Sequence, residues 1–386
     1  MRGKSLGLLL VLFTIAGCSS VEDTRPPPTE LQSYDREADL QRVWSGSTGA
    51  AFNRRWIRLS PIVDDDVLYT LNVSGEIKAW ESDRGRRLWR SHADAFVSAG
   101  VGLDDRHAYV GTQDGQLIAF SRDDGERVWE RSMRGELLAA PAADDGLVVV
   151  RTVDGRVTAL DPDDGSRLWS YSYSVPSLSL RGASPPVIVD GGVLIGLDNG
   201  RVVALEARSG EPFWEARVSE PEGRTPIDRM VDIDGQLGVG RQLIYAVAYQ
   251  GRVVQIDPRR GDIGWSRDLS SYVGLSVDDA QLYVTDDSGH VRALDKRDGS
   301  ELWAQEDLAW RGVSVPVPVP GTDWLVVSDR ENHVHLLARD DGRIVGRARI
   351  DGRWGILSDP VVDAEGRIYI QGQGATITVF QPESRN

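Results

Sequence analysis

One pattern returns eight times along this chain of 386 residues, and a return of that period restricts the chain to a solenoid or a closed ring of repeats. A Gly closing a short polar turn is followed by Ala four residues on, a second Gly at plus ten and Trp at plus fourteen. Full copies are Gly75/Ala79/Gly85/Trp89, Gly115/Ala119/Gly125/Trp129, Gly155/Ala159/Gly165/Trp169, Gly200/Ala204/Gly210/Trp214 and Gly289/Ala293/Gly299/Trp303. Gly251/Gly261/Trp265 has Gln255 at the Ala position. Asn332/Leu336/Gly342 has Gly346 where Trp is due, and Gly374 opens a copy that stops after Phe380. The first positions are spaced by 40, 40, 45, 51, 38, 43 and 42 residues, the length of a propeller blade.

Each copy reads as four short antiparallel strands. Asp114-Gly115, Asp154-Gly155 and Asn199-Gly200 supply the positive φ of a tight hairpin. Asp161-Pro162-Asp163-Asp164-Gly165 suits a type I turn closed by a left-handed residue. Runs such as Leu147 to Val150 and Arg156 to Leu160 lie between the turns, and no long stretch carries apolar residues at helical spacing. Such a meander has two apolar faces, so neighbours must stack around a ring, with the periodic Trp filling the space between sheets. The last copy lacks its fourth strand, while a lone strand near Leu40 to Ser45 carries Trp44, one 45-residue step before Trp89. The expected fold is therefore all-β: an eight-bladed β-propeller with four antiparallel strands per blade, its last blade closed by the N-terminal strand so that no open edge remains.

The chain begins with basic Arg2 and Lys4, an apolar run from Leu6 to Ala16, and Ile15-Ala16-Gly17-Cys18. This resembles a bacterial lipoprotein signal, in which the cysteine after the cleaved bond becomes lipidated. The run is too short to span a bilayer, which takes about 20 residues. Cys18 is the sole cysteine, so no internal disulfide forms. The expected organisation is a signal peptide at 1–17, lipidated Cys18 with a flexible tether over 18–38 containing Pro26-Pro27-Pro28, and the propeller over 39–382. Ser19, in place of Asp after the cysteine, matches the sorting pattern for the outer membrane. Cleavage removes two basic residues, leaving 42 basic against 59 acidic and a net charge of −17. That balance excludes a nucleic-acid partner and a bare anionic lipid surface, since both need a basic face; the membrane is met through the anchor alone.

The steps from Trp169 to Trp214 and from Trp214 to Trp265 are 45 and 51 residues, and the excess lies in the inter-blade segments 171–183 and 217–231. Two consecutive loops of that kind emerge side by side on one face. The first carries Leu178 and Leu180 beside Arg181, apolar residues without a periodic partner next to a charge, as in an interface hot spot. Asp232 and Asp234 follow the second and read equally well as contacts or as turn caps. His333 and His335 alternate on one strand without an identifiable third ligand and read as solvated strand residues. The pairs Asp123-Asp124, Asp163-Asp164 and Asp340-Asp341 sit in blade turns, where Asp bonds the local backbone. No Gly-x-Ser-x-Gly elbow, P-loop or His-Glu-x-x-His occurs, and no cofactor or catalytic residue is expected.

The run from Gly155 to Trp169 resembles the repeat of the pyrroloquinoline-quinone propeller superfamily. Within it, the lipoprotein signal, the eight copies and the segment Ser174 to Pro185 resemble the BamB family, lipoprotein subunits of the machine that folds β-barrels into the outer membrane. The resemblance implies a non-enzymatic scaffold on the periplasmic face of that membrane. It also implies that Leu178, Leu180, Arg181, Asp232 and Asp234 dock onto the POTRA domains of BamA, with unfolded barrel clients as further partners. The rival is a periplasmic quinoprotein-like dehydrogenase or small-ligand binder with the same repeat. Such dehydrogenases commonly carry an adjacent cysteine pair over the quinone, which this chain cannot form.

Overall fold

A computed structural model describes residues 26–51, 57–182 and 184–385. Cys18, the signal peptide and the first part of the tether lie outside them. Among the described residues there is no helix, and the strands form eight four-stranded antiparallel sheets. Seven sheets are built from consecutive strands, innermost first; the eighth takes Ala38–Ser47 as its outer strand, paired antiparallel with Thr376–Ser384. The expected closure is therefore present, with Trp44 opposite Val379.

The periodic residues form one joint repeated around the ring. In every blade but the seventh the Trp lies against the second Gly of the next, and a Cβ on that Gly would come within 2.4–2.8 Å of the indole at Gly85, Gly125, Gly165, Gly210, Gly261, Gly299 and Gly342. The indole N–H donates to a carbonyl of the same turn: Trp89 to Arg122, Trp129 to Pro162, Trp169 to Ala207 and Trp214 to Pro258, all at 2.7–2.8 Å. A buried indole is thus both packed and satisfied. The Ala at plus four is the cross-strand partner of the Trp, as in Ala159 opposite Trp169, and its small side chain lets the indole lie across the sheet. Gln255 replaces that Ala and donates to the Lys296 carbonyl at 2.8 Å, sharing the acceptor with Trp265.

Gly210 tests this joint. It has φ +73° and would place a Cβ 2.5 Å from Trp169, whereas Gly146, with φ +76°, has nothing within 4 Å. Gly146→Ala should cost about 1 kcal/mol from the left-handed backbone alone. Gly210→Val should cost about 3 kcal/mol, because overpacking adds to it. Urea unfolding measures both; equal losses would show that the indole contact is not limiting.

In blade 7 the pair is inverted to Leu336 opposite Gly346. Blade 8 has no turn between its last two strands, since these come from opposite ends of the chain. A Trp at 346 would find no Gly to stack on, and a Cβ there already lies 2.9 Å from the Ala38 carbonyl. The turn aspartates act as expected: Asp124, Asp164 and Asp341 accept the N–H of Glu126, Ser166 and Arg343 at 3.0, 2.7 and 3.0 Å.

Two expectations are corrected. Within the tether expected to be flexible over 18–38, Thr29 is bonded to Ala309 and Arg311 in the connection between blades 6 and 7, and Gln32 and Glu37 are bonded to Arg347 and Val345 of the outer strand of blade 7, Ile344–Arg349. The histidines are not solvated. His335 is fully buried, with Nε2 3.2 Å from Asp329 Oδ2 and Nδ1 accepting from Arg347 Nε at 3.2 Å. Burial holds both His333 and His335 below the usual imidazole range, so they are neutral hydrogen-bonding groups inside the blade.

Candidate functional site

Connections between blades leave the outer strand and the hairpin turn on one face, and two of them are long. The outer strands Arg167–Ser172 and Pro212–Arg217 end there, and the inner strands Val187–Val189 and Gly238–Val239 begin after 173–186 and 218–237. Each loop thus runs a few residues past the expected segment. Together with inner-strand residues of the other blades they ring a central cavity of about 1530 Å³, to whose wall Leu180, Arg181, Gly182 and Asp234 contribute.

The structure brings the predicted residues together in two tiers. In the upper tier, Leu178 is 40% exposed, Leu180 is half-buried and Arg181 is exposed. Arg181 Nη2 is held 2.6 Å from Glu136 Oε1 on the preceding blade connection. The lower tier corrects the reading of the two aspartates. Asp232 is fully buried in the chain itself, and its Oδ1 accepts the Leu180 N–H at 3.2 Å. Asp234 is half-buried under Gly182, where a Cβ would lie 2.6 Å from its Cγ. These carboxylates carry the first loop from beneath, and Asp232 sets the direction of the backbone at Leu180.

Sequence reasoning missed the third carboxylate and its cation. Asp198, on the hairpin turn between them, offers an oxygen within 4.8 Å of oxygens from Asp232 and Asp234. Arg151 from the previous blade is buried against Asp198 and donates to the Gly196 carbonyl at 2.8 Å. Tyr173, at the root of the first loop, donates its hydroxyl to Asp198 Oδ2 at 3.0 Å and accepts from Arg151 Nε at 2.9 Å. A signal existed: four residues before the first Gly, the other copies carry Leu71, Gly111, Gly196, Val247, Thr285, Ser328 and Ile370, and only this one carries an arginine.

Three carboxylates set against the buried Arg151, with Arg58 as a second guanidinium acting on Asp234, leave surplus negative charge at the site. Asp232 Oδ2 and Asp234 Oδ1 are buried without a hydrogen-bond partner. Burial first, then the neighbouring carboxylates, pushes both Asp232 and Asp234 up to about 7. A proton is therefore retained here in the folded state at pH values where the unfolded chain, near 3.9, has lost it. The folded state binds more protons between these limits, so this contribution is greatest at the acid end and is lost as pH rises through about 7. Asp234→Asn supplies a permanent donor to its neighbours. It should leave stability at pH 4.5 unchanged and raise it at pH 8 by on the order of 2 kcal/mol. Urea titrations at the two pH values measure this; an equal change at both would separate Asp234 from the cluster.

The cavity wall contains no cysteine among the described residues, and the acidic trio, the one group of potential metal-ligating side chains found among them, already has Arg151 against it.

A family model described as outer membrane protein assembly factor BamB matches residues 73–305 and 287–386. The outer membrane protein assembly factor BamB of Marinobacter adhaerens is 49% identical over 380 residues, covering 98% of this chain and 96% of that protein. BamB from Moraxella catarrhalis superposes with a TM-score of 0.80 at 29% identity, over 89% of this chain and 99% of that one. A quinohemoprotein alcohol dehydrogenase from Comamonas testosteroni, at 15% identity and a TM-score of 0.72 over 89% of this chain and 76% of that one, shares the fold alone. With matches running along nearly its whole length, the chain belongs to the family of outer membrane protein assembly factors known as BamB.

Proposed function

We propose that this protein is a non-enzymatic scaffold in the assembly of outer-membrane β-barrel proteins. It is held at the periplasmic face of the outer membrane by a lipid on Cys18, and its loop face docks onto the POTRA domains of BamA. The observation that carries the reading is the convergence of the two long connections. The first of them carries exposed Leu178 and Arg181 and half-buried Leu180, and its backbone is held from beneath by Asp232, which accepts the Leu180 N–H, beside Asp198 bonded to Arg151 and Tyr173. A contact patch whose backbone is already fixed loses little conformational freedom on binding, which favours a protein partner. The names of the relatives, assembly factors throughout, agree with it.

Purification from detergent-solubilised membranes tests the proposal. The barrel-assembly subunit is expected to travel with the protein. Bound quinone and calcium, found by absorbance and metal analysis without that subunit, would instead favour the dehydrogenase reading, for which the central cavity is the supporting feature.

A further inference from the structure

The segment before the first strand is built into the propeller in a way that anchoring alone does not require. Thr29 donates its N–H and hydroxyl to the Ala309 carbonyl at 3.0 and 2.8 Å, and its own carbonyl accepts from Arg311 Nη1 at 2.8 Å. Arg311 is buried, and its Nε donates to Asp329 Oδ2 at 2.7 Å, so this donor is preset for the strap by a bond inside the blade. Further down, Leu31 and Tyr34 pack on the core around Trp303, and Arg347 lies 4.7 Å over the Tyr34 ring. Arg343 then grips Glu37 through two bonds of 2.9 and 3.0 Å. Ala309 and Arg311 belong to the connection between blades 6 and 7, on the face that carries the two long loops. Pro26 and Pro28 lie at the mouth of the central cavity on that same face.

We infer that Thr29 to Glu37 is a strap that makes the protein hang from its anchor with the loop face, and hence Leu178, Leu180 and Arg181, turned toward the membrane. The inference rests on the proposed lipid at Cys18. Its force comes from length. With the strap bound, eleven residue steps from Cys18 to Thr29 reach at most about 40 Å. Were the strap free, twenty steps from Cys18 to Ala38 would reach about 70 Å and leave either face free to approach the bilayer. The strap thus removes nearly half the reach and fixes the point of departure. A partner docked on the loops then lies between the propeller and the membrane.

The test uses the full lipidated protein in vesicles of phosphatidylethanolamine and phosphatidylglycerol carrying a lipid-linked energy acceptor. With the Cys18 thiol consumed by lipid, one donor fluorophore is placed by Ser177→Cys on the loop face or by Arg208→Cys on the opposite face. The faces are separated by strands of about 20 Å. At least twofold stronger transfer from the loop face is expected. It should fall to parity when Leu31→Asp and Tyr34→Ala release the strap, both changes lying outside the propeller sheets. Equal transfer in the parent, or stronger transfer from the opposite face, overturns the inference while leaving the anchor intact. Failure of the protein to float with the vesicles instead removes the anchor reading, and the inference with it. Hydrogen exchange supplies a second check: the Thr29 and Glu37 amides should exchange at least tenfold faster in the released variant, and unprotected amides in the parent would overturn the strap.

Discussion

Replacing Arg151 by alanine is expected to destabilise the protein by about 3–5 kcal/mol, more than any other single change considered, and to make the loss grow with pH. The guanidinium is buried against Asp198, and Asp232 and Asp234 stand close by. Without it, the three carboxylates keep only Arg58, which acts on Asp234, and the charges must be relieved by proton uptake or by opening the site. Below pH 5 uptake relieves them, so the loss should be small there and largest at pH 8. The root of the first loop also loosens, because the Tyr173 hydroxyl accepts from Arg151 at 2.9 and 2.6 Å. Urea unfolding at the two pH values, with Arg151→Met/Asp198→Asn as the companion that removes both charges, checks the account. The double variant should recover part of the loss. A loss under about 1 kcal/mol at both pH values would mean that the charges are not coupled.

The second large effect is on binding. Leu180→Asp with Arg181→Glu should weaken association with purified POTRA domains by about 100- to 1000-fold, the consequence of removing two hot-spot side chains at about 2 kcal/mol each. Stability should stay within about 1 kcal/mol, since Arg181 is exposed and Leu180 is only half-buried on a loop. Calorimetric titration and thermal melting separate the two quantities. Unchanged affinity would remove these residues from the docking face. Asp232→Ala should weaken binding less, because it acts only through the backbone of Leu180, its Oδ1 accepting that N–H.

The period of the repeat, the strand count, the closure by the strand carrying Trp44 and the position of the two long connections were all legible in the sequence. Each depends on local patterns that recur at fixed spacing, where eight copies average out individual exceptions. The meaning of the exceptions was not legible. Gly346 reads as a decayed Trp in the linear chain, but in the closed ring it is the one place where the next blade offers no turn to stack on. His333 and His335 read as solvated because alternation does not say which side of a strand is covered; Asp329 and Arg347 decide that.

The candidate site divides in the same way. Leu178, Leu180 and Arg181 stood out in the sequence because exposed apolar residues on an aperiodic loop have no core to enter. Their support is set by Asp232 and Asp234 from one segment, Asp198 from a hairpin turn and Arg151 from a third place in the chain. The sequence by itself determined a closed eight-bladed ring and the face that carries its long loops, because strand pattern and turn chemistry act over a few residues. Tertiary structure alone decided which carboxylates meet, where Arg151 sits among them and how the N-terminal strap lies, because charge and burial depend on neighbours dozens or hundreds of positions away.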